Sequence, residues 1–285
     1  MFDALRVGSL TDSKARYGMY ARQLADELLR ARAANTLKIS HFIHLRAEIC
    51  SETLIAELEQ FTTEDRVGIV SMMDHTPGQR QFRDLSALRV YLSKKRSMNE
   101  REFEDHVSNL KALQQRFGST HEQGTVTHAS RLGAVLASHD DTTAKQVETS
   151  LANGVSFAEF PTTEEAARAC RERGIAIMMG APNIVRGSSH SGNVSANTLA
   201  DASLLDIISS DYVPSALMLS VFLLAKRWNN LPRAVLCATR NPARAVGLTD
   251  RGELRSGYRG DVLRVSQLEG SPLLRGVWSN GQRVA

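Results

Sequence analysis

The stretch LGAVLASHDDTTAKQV, residues 132–147, is where the fold can be read most directly. Leu132 to Ala137 is a short continuous apolar run, the pattern of a strand buried on both faces. The run stops at His139-Asp140-Asp141, and a helical pattern follows: Thr142 is placed to cap it, Ala144, Val147 and Leu151 recur at helical spacing, and Asn153-Gly154 ends it. The ionisable triplet therefore falls at the carboxyl end of a βα unit, where parallel α/β folds place their chemistry.

Working outward, the same kind of run recurs as FDALRV (2–7), ISHFIHLRAEI (39–49), RVGIVSMMDH (66–75), VSFAEF (155–160), GIAIMMGAP (174–182) and LLDIISSDY (204–212), which makes seven candidate strands with the first. Helix signals separate them. Ser51 is placed to cap a helix with Leu54, Leu58 and Phe61 on one face, and Thr162-Thr-Glu-Glu165 reads as a capping box closed by Gly174. Such alternation predicts parallel β/α architecture, one strand short of a (β/α)8 barrel. Residue 2 already lies inside a strand, so the shortfall is expected at the front. The predicted organisation is an incomplete barrel over 1–250 with a helical insertion at about 76–124, then a small β element over 251–285, half of a β-sandwich. In that element GDVLRV and GVWSNGQRVA read as strands, with Asn280-Gly281 as a hairpin turn.

At 285 residues and 42% hydrophobic content the chain can bury a large core. The formal charge is +4, and residues 80–116, centred on Lys94-Lys95-Arg96, carry nine Lys/Arg against five Asp/Glu. A polyphosphate substrate, a nucleic acid and a plain solvated helical face are all compatible with that excess. Cys50, Cys170 and Cys237 are odd in number and without CxxC spacing, which argues against a disulfide framework or a cysteine zinc site. No signal-peptide pattern opens the chain, and its longest apolar stretch, Ala216 to Ala225, is about half a membrane span. A cytoplasmic protein without membrane or nucleic-acid partner is expected; a homo-oligomer is allowed.

Polar residues recur at the predicted strand ends. Alternation puts His44, Arg46 and Glu48 on one face, the next run ends in Asp74-His75, the opening one in His139-Asp140-Asp141, and the last in Asp211. Any one of these is compatible with a cap or a satisfied buried histidine. Together, carboxylates and imidazoles converging on a barrel mouth are the ingredients of a metal site, and a nearby aspartate can act as general base on metal-activated water. The Gly/Ser/Asn-rich segment APNIVRGSSHSGNVSA (181–196) reads as a loop that matches no standard phosphate motif. Its small residues would let backbone N–H groups approach phosphate oxygens, with Arg186 as a bidentate donor and His190 as a further one.

The strings MDHTPGQRQF, ASHDD, AEFPTT, MGAPNIVRG-SSHSGN and ISSDYVPSALM resemble the alpha-D-ribose 1-methylphosphonate 5-triphosphate diphosphatases of the carbon–phosphorus lyase pathway, and the resemblance spans essentially the whole chain. That family belongs to the amidohydrolase superfamily, whose tail pattern is visible in ATRNPARAVGL followed by GELRSGYRGDVL. The resemblance implies a metal-dependent (β/α)8 barrel that hydrolyses a ribose 5-triphosphate and releases diphosphate. It implies Glu48, His75 and His139 as metal ligands, with Asp74 and Asp140 as alternatives to a neighbouring histidine, and Asp211 as the late-strand acid/base. Arg186, Ser188, His190 and Asn193, with the basic insertion, would hold phosphates. The metal is divalent, and His/carboxylate ligation suits zinc, manganese or iron alike.

One departure stands out. The family's first barrel strand ends in a His-x-Asp pair that supplies metal ligands, and this chain has no counterpart; a weakened site and an open sheet edge are the expectation. Two other functions compete with the triphosphate hydrolase: a relative that cleaves a C–N bond of a cyclic amide or amine, and a binding partner without catalysis.

Overall fold

The computed structural model describes residues 1–10, 19–96, 98–189 and 192–285. The chain forms two compact units, Met1–Val155 and Ser156–Ala285.

In the first unit, β1 (Phe2–Val7), β2 (Phe42–Glu48), β3 (Val67–Met73) and β4 (Val135–His139) lie side by side in chain order, all parallel. Between them run α1 (Ala21–Ala33), α2 (Leu54–Glu59), α3 (Leu85–Arg96) and α4 (Glu100–Leu132), and α5 (Ala144–Ala152) follows β4. β3 and β4 are buried along most of their length, with α4 packed against both. Leu45, Ala47, Val70 and Ala137 are fully buried. Register places Arg46 opposite Arg6 on β1 and Ser71 on β3.

The second unit continues the pattern with β5 (Phe157–Glu159), α6 (Glu164–Glu172), β6 (Ala176–Gly180), α7 (Ala181–Arg186), α8 (Ala196–Asp201) and β7 (Ile207–Ser209), again parallel in chain order. Then come α9 (Ala216–Trp228), α10 (Leu231–Leu236) and α11 (Arg240–Ala245), and an antiparallel sheet of β8 (Val262–Leu268), β9 (Ser271–Ser279) and β10 (Gln282–Arg283). Asn280 and Gly281 link the last two strands with φ of 52° and 79°, the left-handed pair that a two-residue hairpin requires. All seven predicted parallel strands are therefore present.

Several local expectations need correction. Leu132 ends α4 rather than opening a strand, because Gly133 takes a left-handed φ of 66° and closes the helix; the helical insertion thus runs on beyond 124. The cap of α5 is Thr143, whose side chain accepts from the Gln146 N–H, since the chain first turns at Asp140 with φ 57°. Thr163, not Thr162, caps α6. Ser51 caps nothing: its hydroxyl donates to the Glu48 carbonyl, and α2 starts after Thr53. The front of the 181–196 segment is helical, because Pro182 suits a first turn and Gly187, at φ 82°, terminates it.

Within the insertion, α3 and α4 share a small core of Leu88, Leu92 and Phe103, flanked by Phe82, Met98 and Val107. The side chains of Lys94, Lys95 and Arg96 lie outside the described residues. Among the described residues, no helix is long and apolar enough to cross a membrane.

Candidate metal centre

Strand ends in the first unit bring the ionisable residues together. Glu48 is the last residue of β2, His139 the last of β4, and His75 follows β3 by two residues. Donor atoms of His75, His139 and Asp140 all lie within 4.8 Å of one another. Glu48, only 1% exposed, is wholly engaged beside them. One carboxylate oxygen accepts from the His75 backbone N–H at 3.1 Å, and the other lies 2.5 Å from His75 Nδ1 and accepts from Arg6 at 3.3 Å. A carboxylate on the rear nitrogen of an imidazole fixes its tautomer and aims the front nitrogen, which is how metal-binding histidines are commonly held.

The charges follow from this geometry. Burial works against the Glu48 charge, but the attraction and hydrogen bond of His75, with Arg6 behind them, bring its pKa down to about 2. Burial likewise opposes a charged His75, yet Glu48 outweighs it and raises the His75 pKa above the ordinary histidine value. His139 behaves in the opposite way: burial, reinforced by Arg46 and Arg80, pushes it down to about 3 despite the attraction of Asp140. Its imidazole is neutral at physiological pH, with Nε2 as an acceptor for Arg46 Nη2 at 3.2 Å. Asp140 Oδ2 sits 3.3 Å from that same Nε2, buried, and accepts no hydrogen bond among the described residues.

Two electron-pair donors so close together are favourable only with a cation beside them. A neutral imidazole, an unsatisfied buried carboxylate oxygen and a carboxylate-backed second imidazole form a donor set that fits a divalent cation.

Of the remaining candidates, Asp74 is nearby in sequence but spent on its own turn, accepting from Thr76 N–H, Thr76 Oγ1 and Gln79 Nε2. Asp141 is buried and accepts from Arg80 at 2.6 Å and from Ser150. Arg80, held in a left-handed conformation at φ 48°, also donates to the His139 carbonyl. Nothing in local spacing marks Arg80 out, because both its partners lie about sixty residues away.

In the second unit, Asp211 follows β7 with a left-handed φ of 50°; it is exposed, and its carboxylate lies against Gly180 at the end of β6. Arg186 ends α7, exposed, and donates to the Tyr212 hydroxyl at 3.0 Å. Ser188 is exposed and Asn193 half-buried, while His190 lies outside the described residues. Glu159, 2% exposed at the end of β5, is a further buried carboxylate at a strand end. An acid closing a buried run just before Pro161 was the available signal. Burial pushes the Cys50 thiol up to about 12 and the Cys237 thiol up to about 11, which disfavours a thiolate at either.

No protein-family model matches the chain. Over 288 aligned positions it is 38% identical to the alpha-D-ribose 1-methylphosphonate 5-triphosphate diphosphatase of Escherichia coli (strain K12), covering all of this chain and 76% of the relative. A 5-methylcytosine deaminase from Klebsiella pneumoniae, crystallised with 5-fluorocytosine, shares the fold at a TM-score of 0.58 and 13% identity, across 100% of this chain and 70% of its own. A prolidase crystallised with N-methylphosphonate-L-proline superposes at 0.56 and 12% identity, across 99% and 85%. The seven parallel strands in chain order and the small antiparallel sheet after them are those of an amidohydrolase barrel short of one strand. On an identity of 38% across its whole length, the chain belongs to the alpha-D-ribose 1-methylphosphonate 5-triphosphate diphosphatase family.

Proposed function

We propose that the chain is a divalent-metal-dependent hydrolase that cleaves alpha-D-ribose 1-methylphosphonate 5-triphosphate between the α- and β-phosphorus atoms. Water adds at one phosphorus, the bridging P–O bond breaks, and the products are the 5-phosphate and diphosphate. The observation that carries the proposal is the His75, His139 and Asp140 donor set at the strand ends, in a chain 38% identical to a named diphosphatase.

His75, His139 and Asp140 would hold the cation. Glu48 acts through His75, because its oxygens are already committed to that residue and to Arg6. The bound cation would polarise a phosphoryl oxygen and lower the pKa of a water molecule. The chain's own residues do the rest. His139, neutral by burial, keeps its electron pair available across physiological pH. Asp211 accepts the proton of the attacking water and returns it to a leaving oxygen. Arg186, Ser188, His190 and Asn193 bind phosphate oxygens, with the guanidinium of Arg186 suited to a bidentate contact.

The test is incubation of the purified chain with manganese or zinc and the ribose triphosphate, followed by phosphorus NMR. Diphosphate and a 5-phosphate are expected in equal amounts. Orthophosphate as the first product, or turnover of a cyclic amide in place of the triphosphate, would overturn the proposal.

A further inference from the structure

Three arginines surround the donor cluster of the first unit, and they are not equivalent. Arg6 is paired with Glu48 at 3.3 Å, and Arg80 with Asp141 at 2.6 Å. Arg46 pairs with no carboxylate among the described residues; it donates to His139 Nε2 at 3.2 Å. It is half-buried on the face of β2 that also carries His44 and Glu48. A partly desolvated guanidinium without a counter-ion is unfavourable unless an anion visits it, and here it rests on the nitrogen that a metal would need.

We propose that Arg46 is an exchangeable cation of this centre: it caps the His139 electron pair in the metal-free chain, and gives up that nitrogen to the divalent ion to bind a phosphate oxygen of the triphosphate. This rests on the proposed function and adds a phosphate contact supplied by a strand of the first unit. Two charges of the same sign cannot share one nitrogen, so metal and guanidinium compete there. Both are attracted to a triphosphate, so they cooperate once it arrives. The two ligands therefore feel Arg46 with opposite sign, whereas a merely structural arginine would affect both alike or neither.

The experiment measures manganese binding and tripolyphosphate binding by calorimetry on the wild-type chain, R46Q and R46K. Removing the charge in R46Q is expected to tighten manganese several-fold. It should weaken tripolyphosphate binding to the manganese-loaded chain by about tenfold or more, the worth of one charge-assisted hydrogen bond. R46K, which keeps the charge without the planar fork, should fall between wild type and R46Q on both scales. A change of the same sign for both ligands, or none for tripolyphosphate, overturns the role of Arg46; melting curves of R46K and R46Q confirm that folded protein is compared. Diphosphate release by the wild-type chain is followed in parallel. Its failure overturns the proposed function, while the two binding measurements still decide the case of Arg46.

Discussion

Replacing Glu48 by glutamine keeps the size of the side chain and removes its charge beside the His75, His139 and Asp140 cluster. The carboxylate serves two His75 N–H groups and Arg6 from a position 1% exposed, so the amide NH2 must face at least one donor. Its pKa falls from 4.5 to about 2, which at 1.36 kcal/mol per unit corresponds to about 3 kcal/mol of gross stabilisation. His75 and Arg6 keep 26% and 29% of their side-chain exposure, and screening there reduces the net loss to roughly 2 kcal/mol. The pH dependence is set by both partners. Glu48, depressed, contributes fully above its ordinary 4.5 and loses that contribution as pH falls toward 2. His75, raised, contributes fully below its ordinary 6.5 and loses it as pH rises through its higher folded value. Urea unfolding of metal-free wild type and E48Q should therefore differ most at about pH 5.5 and less at about pH 9. Metal affinity of E48Q should drop by about 10–100-fold, as expected for the partner of a ligating histidine. Equal metal affinity together with equal unfolding at both pH values would refute the coupling of Glu48 to His75.

D140N and H139A should each lose stoichiometric metal, read by elemental analysis after dialysis; a full metal complement in either would remove that residue from the donor set. D211N should lower kcat by at least about 100-fold with metal content unchanged, separating proton transfer from metal binding. D65N tests the scaffold alone. Burial opposes the Asp65 charge, but Arg22 and Thr62 outweigh it and hold its pKa below 3.8, so its stabilisation is present above that pH and is lost as pH falls further. The Asp65–Arg22 pair is bidentate at 2.9 and 3.0 Å, and its loss should cost about 2 kcal/mol in urea unfolding at neutral pH.

The parallel strands were legible in the sequence because burial on both faces leaves a local trace: a short apolar run, then a polar break, as in VGIVSMM or VLASH. The same breaks announced Glu48, His75 and His139, since a strand end is a position along the chain and needs no knowledge of what lies beside it. Asn280-Gly281 was equally readable, because a left-handed turn pair is specified by its own two residues. What tertiary structure alone decided is which partner each of these groups meets. Glu48 is spent on His75 and Arg6, Asp74 on its own turn, and Asp140, turned inward by a left-handed φ of 57°, remains available beside His139. Arg46 reaches His139 across 93 residues and Arg80 reaches Asp141 across 61, contacts that no spacing along the chain encodes. Periodicity carries the direction of a side chain within its own strand; the partner it meets there depends on the register of neighbouring strands and on the loops that close over them.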